Sequence, residues 1–273
     1  MMKEGRIARR ERRRIEAGEI GTGSDALPIE APLTIQVVGE TIATTMRTPG
    51  SDHALVAGFL LGEGLIRSAA DLGTMVHCGD VESQAAQHTM EVGPGPGFHF
   101  ELGDGIRRGT LSTSSCGVCG REQITDLIHR VCAPTEHRDF TGAEIRSALE
   151  TLTSRQTLFE QTGSIHGAAL FDSQLNLLSL DEDIGRHNAI DKVVGRALLD
   201  GSLKEARLMA LSGRVSFEVV QKSAAAGIGF IATRKGLTTM AVDLAKAASI
   251  TVCAFVRDSR HSIYGRTSKI VKP

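Results

Sequence analysis

Two thiols three positions apart, Cys116 and Cys119, stand in the run Ser114-Ser115-Cys116-Gly117-Val118-Cys119-Gly120. A Gly/Ser loop leaves a thiol exposed and free to approach a partner, and the helical pattern that follows brings a helix N-terminus that favours the thiolate. Three chemistries fit. With His129 and Cys132, one helical turn apart, the pair would complete a tetrahedral zinc site. By itself it would cycle between dithiol and disulfide. As a sulfur carrier, Cys116 or Cys119 would accept a sulfane sulfur as a persulfide, which the neighbouring thiol can reduce.

Other residues point to an anion. In Asp181-Glu182-Asp183-Ile184-Gly185-Arg186-His187-Asn188-Ala189-Ile190-Asp191-Lys192, His187 and Asp191 are spaced i, i+4, so the carboxylate would orient the imidazole. Arg186 and Asn188 crowd the positive helix end, although a surface ion-pair cluster would show the same residues. Leu211-Ser212-Gly213-Arg214-Val215-Ser216 and Thr233-Arg234-Lys235-Gly236-Leu237-Thr238-Thr239 each end a strand and begin a helix. In open α/β sheets ligands sit at the carboxyl ends of strands, where helix N-termini bind phosphate, so these junctions predict an anionic, phosphate-bearing ligand. The chain has no Walker A motif, and no helix follows the Gly93–Gly97 run, so it is no dinucleotide fingerprint.

His166, in Thr162-Gly163-Ser164-Ile165-His166-Gly167-Ala168, reads as a hydrogen-bonded core histidine whose Gly-Ser setting leaves a site role open. Zinc-deaminase chemistry is not expected: Ala168 stands where the catalytic Glu would be, and the Cys pair precedes the His.

The elements that carry these residues follow from periodicity. Leu33–Val38 and Thr41–Met46 read as a hairpin turned at Gly39-Glu40 in a type II′ geometry. Ser51 is a candidate N-cap for a helix ended by Gly62 and Gly64. Residues 74–103 look like short strands, and Arg121–Cys132 and Thr141–Thr153 like helices. A hairpin, His166–Phe171 and Leu175–Leu180, comes next. Then helix His187–Leu199, strand Ala206–Leu211, helix Val215–Ala226, strand Phe230–Thr233, helix Thr238–Ala247 and strand Thr251–Val256 alternate, the pattern of a largely parallel sheet covered by helices.

Length and charge set the frame. The 273 residues allow one large domain or two small ones, and a hydrophobic fraction of 41% makes the chain globular. The longest apolar stretches, near 54–62 and 247–256, are about half the ~20 residues a spanning helix needs. The N-terminus shows no secretory signal, and five cysteines are an odd number for a disulfide framework, so a cytoplasmic, thiol-keeping protein is expected. A formal charge of −1 argues against nucleic acid as a partner, yet residues 1–14 hold seven basic and two acidic groups. That leaves 24 basic and 30 acidic residues, a net of −6, elsewhere. The reading is a basic flexible tail over 1–25, a linker within it from Gly18, a β-rich domain over 26–120 that ends in the Cys loop, and an α/β domain over 121–273.

As an ordered set these motifs resemble the formate dehydrogenase accessory sulfurtransferase family, FdhD. The resemblance spans residues 28–265 through Glu30-Ala31-Pro32-Leu33, Met46-Arg47-Thr48-Pro49, Gly58-Phe59-Leu60-Leu61-Gly62-Glu63-Gly64, the Cys loop, the 162–166 turn, Asp183–Lys192 and Ser212-Gly213-Arg214. It implies an α/β fold whose C-terminal domain is three-layered and cytidine-deaminase-like without the zinc site, beside a smaller β-rich N-terminal domain, in a cytoplasmic homodimer. It implies that sulfur is taken from a cysteine desulfurase as a cysteine persulfide. That sulfur passes to the molybdenum bis(molybdopterin guanine dinucleotide) cofactor, Mo-bis-MGD, before insertion into the formate dehydrogenase apoenzyme. No intrinsic metal and no membrane are involved. Cys116 becomes the persulfide candidate and Cys119 its helper. The cofactor candidates are Arg186, His187, Asn188, Asp191, Ser212, Gly213, Arg214, Ser216 and Thr238, with the C-terminal stretch His261-Ser262-Ile263-Tyr264-Gly265-Arg266. The chain departs from the family pattern at Lys235-Gly236-Leu237-Thr238, where many relatives carry a Ser-Ala-Pro-Thr type sequence, and at Tyr264-Gly265, usually Tyr-Thr.

Overall fold

In a computed structural model of the chain, the described residues are 5–78, 88–97, 134 and 137–266. The Cys116–Cys119 loop, His129, Cys132 and the helix expected over Arg121–Cys132 lie outside them. In order, the elements are β1 (Ile7–Glu16), β2 (Glu19–Pro28), β3 (Ala31–Val37), β4 (Glu40–Arg47), α1 (Asp52–Gly62), β5 (Leu72–His77) and β6 (Thr89–Pro94). Then come α2 (Gly142–Ser154), α3 (Thr157–Thr162), β7 (His166–Phe171), β8 (Leu177–Asp183), α4 (Arg186–Leu199), β9 (Leu208–Leu211), α5 (Phe217–Ala225), β10 (Phe230–Thr233), α6 (Thr239–Ala247), β11 (Thr251–Ala254) and β12 (Ser262–Gly265). Among the described residues no helix is long and apolar enough to cross a membrane.

The six-stranded sheet has the order β12-β11-β10-β9-β7-β8, with β9, β10 and β11 parallel and β7 antiparallel to β9. Strand pleating separates its two faces. Ala168 and Leu170 join one apolar cluster with α4, α5 and α6, whereas Ala169 and Phe171 join a second with Ile145, Leu149 and Leu152 of α2. Helices therefore cover both faces, as the helix–strand alternation predicts, but the sheet is mixed rather than largely parallel, because β12 pairs antiparallel with β11 and the β7–β8 hairpin adds antiparallel to β9.

The first of those clusters also takes in Leu33, Ile35 and Val37 of β3, Met90 and Val92 of β6, and Leu55, Val56 and Leu60 of α1. The four-stranded sheet, order β4-β3-β6-β5, thus shares a core with the larger sheet instead of enclosing its own. The join is a backbone-to-backbone contact of α1 with α4. A Cβ on Gly58 would overlap the Asp191 carbonyl, and one on Gly195 would overlap the Ala54 carbonyl.

Buried charges finish the seam. Arg47 grips Asp52 with Nε–Oδ1 3.0 Å and Nη2–Oδ2 2.9 Å. Lys192 reaches Asp183 at 2.7 Å, both side chains fully buried, and donates to the Thr48 carbonyl at 2.8 Å.

Three local expectations change. Residues 7–25, read as flexible tail and linker, lie in the antiparallel β1–β2 ribbon, anchored where Arg6 donates to Asp181 (3.0 Å) and to the Glu182 carbonyl (2.8 Å). The β3–β4 loop is Val38-Gly39, not Gly39-Glu40; both residues have positive φ, the type I′ signature, and Glu40 pairs with Val37. Ser51 is left-handed and caps nothing, because its hydroxyl donates to Asp181 at 2.6 Å. The C-terminal stretch given as a cofactor candidate contains the edge strand β12, antiparallel to β11.

Candidate functional site

At the carboxyl ends of β9 and β10 lies a cavity of about 570 Å³. Leu149 and Leu152 of α2, Ile165 and Leu211 supply apolar walls; His166, Ser212 and Gln156 are polar, and Arg234, Lys235 and Arg257 bring three cations. Each cation follows a parallel strand, because the sheet crosses helix to strand three times and releases its chain at one edge.

The turns around the cavity are tied by hydrogen bonds. Ser212 donates its N–H to the Gly167 carbonyl (3.0 Å), and its hydroxyl accepts from the Gly167 N–H (2.8 Å), so β7 and the end of β9 hold each other. Thr233 donates to the Gly213 carbonyl (2.7 Å) and accepts from the Lys235 N–H (3.0 Å). Val215 and Leu237 form a bridge that zips the two junction loops together. A Cβ on Gly213 would stand 3.4 Å from His166 Nδ1 and 3.5 Å from Arg186 Cβ, so the imidazole and the guanidinium stem flank a bare backbone. Burial, reinforced by the Arg186 cation, holds the His166 imidazole below its ordinary pKa. At neutral pH it is an uncharged ring in a positive setting.

Of the residues singled out from the sequence, Arg186, Ser212 and Gly213 converge here. Arg214 is exposed beside them, and Thr238 caps α6 by accepting from the Ala241 N–H at 3.3 Å. His187 and Ser216 meet at 3.2 Å, a neighbouring polar pair.

Asp191 does not orient His187. His187 Nε2 lies 2.9 Å from Glu218 Oε2 on α5, and this hydrogen bond lowers the Glu218 pKa. Asp191 faces the other way and pairs with Lys222 at 2.8 Å under α1; burial pushes its carboxyl up to about 6. The i, i+4 spacing sees only one helix, and the partner on α5 took the imidazole.

Asn188 is a clasp, not a cavity residue. It donates to the Met46 carbonyl (2.7 Å) and to Asp183 (3.0 Å), and accepts from Thr45 (3.2 Å). Asp183 also accepts from the Gly185 N–H at 2.9 Å, which fixes the turn that presents Arg186.

The stretch His261–Arg266 runs along β12 away from the cavity. Ser262 pairs with Ala254 at the carboxyl end of β11, but Gly265 pairs with Thr251 at the opposite end. Ile263 and Tyr264 lie between them, and Arg266 lies 3.7 Å from Asp139. Gly265, at the departure from the family pattern, has φ +81°, and a Cβ there would meet the Ile250 carbonyl.

Gln156 and Arg257 carry no motif. Arg257 was findable as the third cation after a parallel strand; Gln156, at a helix–helix junction, gave no signal. Among the described residues no group of three His, Cys, Asp or Glu could hold a metal. Cys253 is a core residue whose thiol burial pushes up to about 12.

These features define a mixed α/β protein with a cation-lined cavity at its strand ends. Comparison with known proteins is consistent with that. The FdhD/NarQ family model matches residues 28–271. The chain is 40% identical over 259 residues to sulfur carrier protein FdhD of Anaeromyxobacter dehalogenans strain 2CP-C, covering 92% of this chain and 90% of that one. It is 38% identical over 276 residues to the Streptomyces avermitilis protein of the same name, covering 97% and 96%. A crystal structure of a candidate formate dehydrogenase accessory protein from Desulfotalea psychrophila has the same fold: TM-score 0.76 at 24% identity over 98% of this chain and all of the other. The chain belongs to the FdhD/NarQ family.

Proposed function

We propose that this chain is a sulfur carrier in formate dehydrogenase maturation, which takes sulfur from a cysteine desulfurase on Cys116 and delivers it to Mo-bis-MGD before that cofactor enters the apoenzyme. What carries the reading is the cation-lined strand-end cavity in a chain whose family-matched span, 28–271, includes Cys116 and Cys119. Cys116 thiolate attacks the terminal sulfur of the desulfurase persulfide; the new S–S bond forms on Cys116 as the old one breaks, and the desulfurase cysteine leaves as thiolate. Cys119 shields the persulfide or attacks its inner sulfur, so that the Cys116–Cys119 disulfide forms as the S–S bond of the persulfide breaks and the outer sulfur leaves as sulfide. The cofactor's phosphates meet Arg234, Lys235 and Arg257, with Arg186 beside the Gly213 backbone; a cavity of this size takes one arm of the cofactor at a time.

Helices on both faces of the larger sheet support the three-layer, cytidine-deaminase-like reading of the C-terminal half. Ala168, fully buried in mid-sheet, supports the loss of deaminase chemistry. A cytoplasmic homodimer completes the proposal.

The test is mass spectrometry after incubation with desulfurase and cysteine. Cys119→Ala is expected to gain the extra sulfur and Cys116→Ala to lack it; the reverse pattern moves the carrier to Cys119.

A further inference from the structure

Among the described residues the cavity holds a buried side-chain amide whose nitrogen the fold does not use. Gln156 is 5% exposed, lines the cavity, and its Nε2 finds no hydrogen-bond partner among the described residues. A buried donor left unpaired is costly, and native structures rarely keep one without a use.

Its position is fixed rather than incidental. Gln156 lies between α2 and α3, donating its N–H to the Thr153 carbonyl (3.4 Å) while its carbonyl accepts from Glu160 (3.0 Å). The carboxamide lies across Gly167: a Cβ there would stand 2.6 Å from Cδ and Nε2. A bare Cα thus makes room for the amide. Leu149 and Leu152 offer flat apolar surface beside it, and the cations of Arg234, Lys235 and Arg257 line the same space.

A carboxamide presents a donor and an acceptor side by side. Its complement is a ring edge with an acceptor beside a donor. Guanine and pterin offer one in the lactam N–H and C=O of their 2-amino-4-oxopyrimidine ring, and adenine offers another in its amino group beside a ring nitrogen, so the carboxamide selects a heterocycle with such an edge over a bare anion.

We propose that Gln156 is the ring-binding residue of this cavity, pairing its carboxamide with the donor–acceptor edge of the ligand's heterocycle, in the proposed cofactor the lactam of a 2-amino-4-oxopyrimidine, while the ligand's anionic group meets the cations. This rests on the sulfur-carrier reading for the identity of the ligand and adds the residue that reads it. A site built around such a pair rejects a ring that cannot complete it.

Isothermal titration of the full chain with GDP, pterin-6-carboxylate and inorganic pyrophosphate tests it. The unsubstituted protein binds GDP or the pterin in preference to pyrophosphate, and the arm that binds identifies the ring. Gln156→Leu weakens the preferred ligand by about tenfold or more, leaves pyrophosphate unchanged, and does not lower the melting temperature, because it removes an unpaired buried amide. Gly167→Ala, which displaces the carboxamide without deleting it, weakens the same ligand. If Gln156→Leu binds GDP and the pterin as tightly as the unsubstituted protein, or loses pyrophosphate equally, the assignment of Gln156 is wrong. If the unsubstituted protein binds none of the three, the cofactor reading falls together with this inference.

Discussion

Replacing Lys192 with Met strips the cation from a fully buried pair. Asp183 then keeps three donors, the N–H groups of Thr48 (3.1 Å) and Gly185 (2.9 Å) and the Asn188 amide (3.0 Å), but no countercharge. Breaking a buried pair by removing one partner costs about 3–5 kcal/mol, roughly 6–20 °C of melting temperature in a chain of this size. Asp183→Asn alone leaves the Lys192 ammonium stranded and costs a similar amount. The double variant removes both charges, so it is expected to lose less than the sum by about 2 kcal/mol or more. Guanidinium unfolding of the four proteins closes the cycle. Losses that add within about 0.5 kcal/mol would show that the pair is not coupled and that the seam is held by packing alone.

Other outcomes follow from the same contacts. Gly195→Ala forces a methyl group into the Ala54 carbonyl and is expected to cost at least about 1–3 kcal/mol in thermal unfolding. His166 has a lowered pKa in the fold, so the unfolded chain binds the proton more readily; its contribution is complete above the unfolded value near 6.5 and is lost as pH falls through the lowered one. His166→Gln is therefore expected to flatten the acid limb of the stability profile. Metal analysis of the purified protein is expected to find no stoichiometric zinc; zinc lost on mutating Cys116 or Cys119 would restore the structural-zinc reading of that loop.

The alternation of helix and strand from His187 to Ala254 was legible because each buried strand is short and apolar and each helix keeps its own period. The β1–β2 ribbon was not. Five arginines and the Gly21 and Gly23 positions read as solvated chain, and what orders them is cross-strand pairing and the Arg6 latch to Asp181, both invisible to a local pattern. The position of the cation-lined cavity was legible from Ser212-Gly213-Arg214 and Arg234-Lys235, since strand ends followed by helix starts mark it. Long-range partners were out of reach: Lys222 claims Asp191, Glu218 claims His187, and β4 claims Asn188. Each of these side chains has ligand chemistry, and each is spent on the fold.

The decisive observation is discharge. The protein is loaded by a desulfurase, freed of it, and mixed with sulfur-free Mo-bis-MGD while the Cys116 peptide is followed by mass. The extra sulfur is expected to leave Cys116 on adding the cofactor, and to stay when Arg234, Lys235 and Arg257 are all replaced by Ala. Sulfur that remains on Cys116 in the presence of the cofactor, or that departs equally fast without those three cations, would contradict delivery at the strand-end cavity.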